Sequence, residues 1–150
     1  MNVRTLGLIA FASLSFDPSA IGHVQRMCKT TTAKMETDPA HNLIGVRCQI
    51  KGARRSYLCV IDSGATNTVV SDRVIKAEGV MTFMDTTNGI VLVPKREVSL
   101  IIGDGPELKA QAFVPKKMPQ GIQILIGEDI LRQFCSVVFD YSTQEVEFQR

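Results

Sequence analysis

The chain has 150 residues, 45% of them hydrophobic and 21% charged, enough for one domain with a real core and too few for two full ones. A net charge of +2 gives no reason to expect a nucleic acid or a membrane surface as partner. No apolar run approaches the length of about 18 residues that a bilayer-spanning helix needs.

Arg4 followed by the apolar stretch of residues 6–16 is similar to a secretory signal with a short apolar centre. Ser13 and Ser15 interrupt that centre, and the residues after Asp17-Pro18 make a poor cleavage site. The reading therefore favours a cytoplasmic chain over a secreted one. Residues 23–42 are polar and without periodicity: Lys29-Thr30-Thr31-Thr32-Ala33-Lys34 leads to Thr37-Asp38-Pro39. They read as part of a flexible lead-in covering residues 1–42, with the folded domain over 43–150.

From Leu43 onward, short apolar segments alternate with turn residues, the pattern of an all-β sandwich or closed barrel. Ile44, Val46, Cys48 and Ile50 alternate with Gly45, Arg47 and Gln49, which predicts a half-buried strand. Residues 51–54 turn the chain into a second strand over 56–61. Ser71-Asp72 and Gly79 bracket a short helix or turn over 73–78. Residues 80–84 and 90–93 flank Thr86-Thr87-Asn88-Gly89, a strong hairpin signal, and Pro94 is expected to end that arm. A second hairpin follows over 97–102 and 107–114. Its Gly103-Asp104-Gly105-Pro106 turn lacks the following helix that a phosphate loop requires. Residues 122–126 read as a buried strand, Gly127-Glu128-Asp129 break it, and 130–134 have helical spacing. Strands over 137–139 and 146–148 close the chain, giving an all-β fold with one or two short helices.

The cysteines are Cys28, Cys48, Cys59 and Cys135, with no C-x-x-C pair, and His23 and His41 stand outside the patterned region. No metal site is expected from that set, and no cofactor. Cys48 and Cys59 fall on strands expected to be neighbours, which leaves a bridge open to them, but the preferred reading is two buried reduced thiols acting as small hydrophobes.

The informative segment is residues 58–70, Leu-Cys-Val-Ile-Asp-Ser-Gly-Ala-Thr-Asn-Thr-Val-Val. An apolar run of this kind suits a strand buried on both faces, and a carboxylate at its end is costly unless partnered or used. Gly64 lets another backbone or a ligand approach, and Ser63 can lock the turn. The bland alternative is a strand ending in an Asx-type turn.

Four features in order make the chain resemble the retropepsin-like aspartic peptidases, the single-lobe enzymes of retroviruses, retroelements and some cellular proteins. They are the alternating strand with its glycine turn, Val60-Ile61-Asp62-Ser63-Gly64-Ala65-Thr66, the Asn88-Gly89 hairpin, and Ile124-Leu125-Ile126-Gly127-Glu128-Asp129-Ile130-Leu131. The resemblance covers roughly residues 43–148. It implies a retropepsin-like closed β-barrel or sandwich lobe and an aspartic endopeptidase. Asp62 would be the catalytic carboxylate, with Ser63, Gly64 and Ala65 supporting it. Gly64, Thr66, Asn88 and Gly89 would bind substrate backbone, and the stretch from Thr86 to Gly89 would be a mobile flap. Asp129 would be structural, and the strand over 146–148 would offer its free edge to a dimer sheet.

Amide hydrolysis without metal or covalent nucleophile suits two adjacent carboxylates sharing one proton, one activating water and the other protonating the leaving nitrogen. The chain carries a single Asp-Ser-Gly, so the second carboxylate must come from another copy. The implied partners are a polypeptide substrate and a second copy of the chain, with no nucleic acid and no membrane. Two departures stand out. Thr66 occupies a position where many retroviral enzymes carry aspartate, and the expected flap has one glycine, Gly89. Val69, Val91 and Ile124 are plausible walls of substrate pockets. The competing reading within this fold is a binding or scaffold module without catalysis. A nucleic-acid-binding barrel using Arg54, Arg55, Lys116 and Lys117 is disfavoured, because aromatics make up only 6% of the chain.

Overall fold

The computed structural model describes residues 28–38 and 40–150, and the signal-like segment falls outside them. Among the described residues ten strands and one helical turn follow in order: β1 (Thr30–Asp38), β2 (Leu43–Ile50), β3 (Ser56–Ile61), β4 (Val69–Val70), β5 (Val80–Thr86), β6 (Gly89–Ile102), β7 (Glu107–Phe113), β8 (Ile124–Ile126), α1 (Glu128–Leu131), β9 (Ser136–Asp140) and β10 (Glu145–Gln149). The fold is all-β with one short helix, as the turn spacing predicts.

The strands form one sheet in the order β5-β6-β7-β4-β8-β3-β2-β1-β10-β9, and an extra β2–β6 pairing closes six of them into a ring. Within the ring β3 runs parallel to β8, and β4 runs parallel to β7 but antiparallel to β8. β8 lies between β3 and β4, and β4 lies between β7 and β8, so neither connection is a tight hairpin and long loops make both. The first of those loops carries Asp62. Leu100, Ile102, Leu108, Ala112, Ile124, Ile126 and Ile130 fill a continuous core with Val46, Val146 and Phe148.

Four expectations need correction. The chain is not a lead-in up to residue 42: β1 spans Thr30–Asp38, pairing with β10 through Thr30–Lys34 and with β2 through Met35–Asp38. Its inward residues begin with Thr31 and Ala33, which are small, and Met35 alone is large and apolar, too little for a hydropathy alternation to show. Cys48 and Cys59 are joined in a disulfide with Cα atoms 5.9 Å apart, not held as free thiols. In register Cys48 faces Tyr57 and Cys59 faces Val46, so the two cysteines are diagonal neighbours on one buried face.

Pro94 does not end its strand. β6 runs on through it, because its partner changes from β5 on one edge to β7 on the other at Lys95, where a missing N–H is tolerated. The strand over 146–148 offers no free edge, because β10 is flanked by β1 and β9. The outer edge there belongs to β9.

β1 covers Val46, Val146 and Phe148, all essentially fully buried, so removing it strands apolar surface and two sets of ladder bonds. A chain begun at Leu43 is expected to lose its cooperative thermal transition and to bind a hydrophobic dye. A sharp transition in that shortened chain would contradict this role for β1.

Candidate functional site

β3 delivers Asp62 half-buried at the end of a strand whose Tyr57, Cys59 and Val60 are in the core. The Asp62 N–H donates to the Ile126 carbonyl at 3.0 Å, extending the β3–β8 ladder by one residue. The Gly64 N–H then donates to Asp62 Oδ1 at 2.9 Å, and the Ala65 N–H donates to the Asp62 carbonyl at 3.2 Å. The Asx-type turn read from composition is therefore present, and it fixes the carboxylate by one oxygen. The other oxygen has no hydrogen-bond partner among the described residues. A Cβ at Gly64 would stand 3.2 Å from Asp62 Oδ1, so a side chain there presses on the carboxylate.

A buried clamp holds the loop from below. Thr68 is fully buried, and its hydroxyl donates to Asp129 Oδ1 at 2.7 Å while accepting the Gly127 N–H at 3.2 Å. The N–H groups of Thr68 and Ile130 also donate to Asp129 Oδ1, each at 2.9 Å. Main-chain bonds run beside these, from the Glu128 N–H to the Ala65 carbonyl at 2.8 Å and from the Asp129 N–H to the Thr66 carbonyl at 3.3 Å. The two segments approach so closely that a Cβ on Gly127 would lie 2.5 Å from the Asn67 carbonyl carbon. Only glycine fits there. Asp129 Oδ2 is buried without a partner among the described residues, so the three donors on Oδ1 carry the side chain's stabilisation.

Above the loop, the β5–β6 hairpin turns at Thr87-Asn88. Thr86 braces the tip: its hydroxyl donates to the Gly89 carbonyl at 2.6 Å and accepts the Asn88 N–H at 3.2 Å. Between hairpin and loop lies a cleft of about 560 Å³, walled by Gly64, Ala65, Thr66, Asn67, Val69 and Phe113 on one side and by residues 83–87 on the other. Phe113 is placed by its parallel pairing with Val69, and the Lys95 ammonium sits 4.8 Å from the centre of its ring.

Of the residues singled out in the sequence, Gly64, Ala65 and Thr66 wall the cleft, while Asp62 and Ser63 belong to the same loop without lining it. Asn88 and Gly89 stand at the hairpin tip, outside the walls. Val69 lines the cleft, whereas Ile124 is fully buried and Val91 is not among its walls. Phe83, Met84 and Phe113 escaped sequence reasoning. The hairpin signal located the first two, and only the β4–β7 pairing brings Phe113 to the cleft. Among the described residues no cluster of three or more His, Cys, Asp or Glu could hold a metal ion.

A six-stranded ring with an acidic loop at the end of one strand and a hairpin arching over it defines a retropepsin-like fold. Among solved structures the chain is similar to a retropepsin-like aspartic protease from Rickettsia conorii, with a TM-score of 0.55 and 14% identity over 81% of this chain and 91% of that one. It is also similar to the protease of simian foamy virus (mac), with a TM-score of 0.45 and 19% identity over 59% of this chain and 91% of that one. No family model matches the chain, and neither does any curated protein. The likeness is one of fold.

The clamp yields a stability prediction. Thr68→Val keeps the shape but leaves the buried Gly127 N–H unpaired and takes a donor from Asp129, so urea unfolding should show a loss of about 2–3 kcal/mol. Asp129→Asn keeps the Oδ1 acceptor but puts an NH2 group at the buried, unpartnered Oδ2 position, so it should also cost about 1–3 kcal/mol by the same reasoning. Equal and negligible effects of both changes would contradict the clamp.

Proposed function

We propose that the chain is an aspartic endopeptidase that works as a homodimer, with Asp62 of each copy forming one half of a catalytic dyad. The observation that carries this reading is the Asp62 loop itself. It presents a half-buried carboxylate held by one oxygen, and its Gly64, Ala65 and Thr66 form one wall of a cleft of about 560 Å³ under the hairpin. The fold shared with aspartic proteases supports the reading, as does the single Asp-Ser-Gly in the chain.

In the dimer, two adjacent carboxylates hold one proton between them. The ionised one takes a proton from water as the water oxygen attacks the peptide carbonyl, and the protonated one hydrogen-bonds the developing oxyanion. The proton then passes to the leaving nitrogen as the C–N bond breaks. Thr66 and Gly64 would hold substrate backbone from below, and the β5–β6 hairpin would close from above and exclude water. Phe83, Met84, Val69 and Phe113 favour apolar side chains flanking the scissile bond.

The second copy needs an edge to dock on. β9 ends the sheet with sequence Ser136-Val137-Val138-Phe139-Asp140, carrying neither lysine nor proline to block pairing, and Val138 is 45% exposed at its centre. Antiparallel β9–β9 pairing across a two-fold axis would join the two lobes into one sheet.

Asp62→Asn should lower cleavage of a peptide library by at least about a hundredfold while leaving the thermal unfolding curve unchanged. Cleavage at the parental rate would sink the peptidase assignment and leave the binding-module reading. Val138→Lys places a charge on the pairing edge, so sedimentation should show a shift to monomer together with loss of activity at low protein concentration. A fully active Val138→Lys monomer would remove β9 as the interface.

A further inference from the structure

The two cysteines outside the Cys48–Cys59 bridge do not lie apart. Cys28 precedes β1 and Cys135 precedes β9, 107 positions apart in sequence, yet their sulfurs are 3.2 Å apart. The meeting is arranged by β10. The Lys29 N–H donates to the Arg150 carbonyl at 2.7 Å, and the Arg150 N–H donates back to Lys29 at 3.0 Å. On the other flank the Cys135 N–H donates to the Gln149 carbonyl at 2.6 Å, and the Ser136 hydroxyl donates to Gln149 Oε1 at 2.8 Å. The end of β10 thus holds both backbones, and the side chains converge beside it.

The structure assigns Cys28 and Cys135 as a reversible redox site, a dithiol that a low-molecular-weight disulfide such as oxidised glutathione converts into a covalent staple. An S–S bond is about 2.05 Å long, so the sulfurs must close by about 1.2 Å, a movement open to Cys28 because it precedes the first strand.

Access separates this pair from the other one. Cys48 and Cys59 are essentially fully buried, beyond reach of a small thiol, whereas Cys135 is exposed and Cys28 half-buried. The Cys28 S–H donates to the Cys135 sulfur, and that bond together with burial pushes the Cys28 thiol above its ordinary pKa. Cys135 is therefore the attacking group and Cys28 the resolving one.

The exchange balances in two steps. The Cys135 thiolate displaces one glutathione thiolate and forms a mixed disulfide. Cys28, giving up its proton, then attacks the Cys135 sulfur and expels the second glutathione thiolate. Two protein thiols are oxidised, one glutathione disulfide becomes two glutathione thiols, and the protons pass to the released thiolates. The product ties the entry to β1 to the α1–β9 connection. That connection begins at the segment clamping the Asp62 loop and ends at the free edge of β9.

The test is intact-mass analysis and peptide mapping of the full chain after equilibration in glutathione buffers and alkylation of free thiols. The expected product has lost two hydrogens, retains no glutathione, and yields a Cys28–Cys135 linked peptide beside the Cys48–Cys59 one. Separate glutathione adducts on both cysteines, or two alkylated cysteines under buffers that oxidise ordinary dithiols, would overturn the assignment. In Cys28→Ser the mixed disulfide at Cys135 should accumulate, and its absence would remove Cys135 as the attacking group. Closing a loop of 107 residues should raise Tm by about 6–12 °C in the oxidised parent. An unchanged Tm in the linked protein would remove the staple's mechanical role.

Discussion

A single buried hydroxyl ties the molecule's two working segments together. Thr68 Oγ1 donates to Asp129 and accepts from Gly127, so it belongs at once to the loop that carries Asp62 and to the segment that starts α1. Neither segment is regular secondary structure over most of its length, and a loop of that kind is ordinarily mobile. Here its polar backbone groups are satisfied by a second loop, which makes the arrangement rigid and specific. The glycine at position 127 is the geometric counterpart of the hydroxyl: without a Cβ, the two backbones reach the distance at which the bonds form.

The ring of strands places that clamp. Parallel pairing of β3 with β8 brings the ends of both strands to the same end of the ring, where the β3–β4 loop and the segment after β8 can hold each other. The β5–β6 hairpin extends from the same ring and roofs the resulting cleft. Its Val80, Met81, Phe83, Ile90 and Leu92 remain exposed, a large apolar ribbon to leave in water. An extended apolar substrate beneath it would remove part of that surface from solvent.

Much of this was legible in the residues, and the failures have definite causes. β2 and β3 announce themselves because their inward positions carry Val46, Cys48, Cys59 and Val60, large enough to show as periodicity or an apolar run. β1 hides because Thr31 and Ala33 fill its inward positions with small side chains where it pairs with β10. The Cys48–Cys59 bridge depends on register, which the turn at residues 51–55 sets and composition does not reveal. Phe113 and Val69 meet through a parallel pairing between distant strands, a relation no local pattern encodes. The Asp62 motif was readable because its chemistry is local: strand, acid, glycine and turn are consecutive.

The proposed dyad requires two copies, because the chain carries a single Asp-Ser-Gly. The most direct measurement is the activity of mixtures of the parent and Asp62→Asn at fixed total concentration, after subunits have exchanged. An intermolecular dyad requires two intact copies, so activity should follow the square of the parental fraction and fall to roughly a quarter at equal mixing. A linear decline, to roughly one half at equal mixing, would mean that each chain acts alone and would contradict a site built from two copies of Asp62.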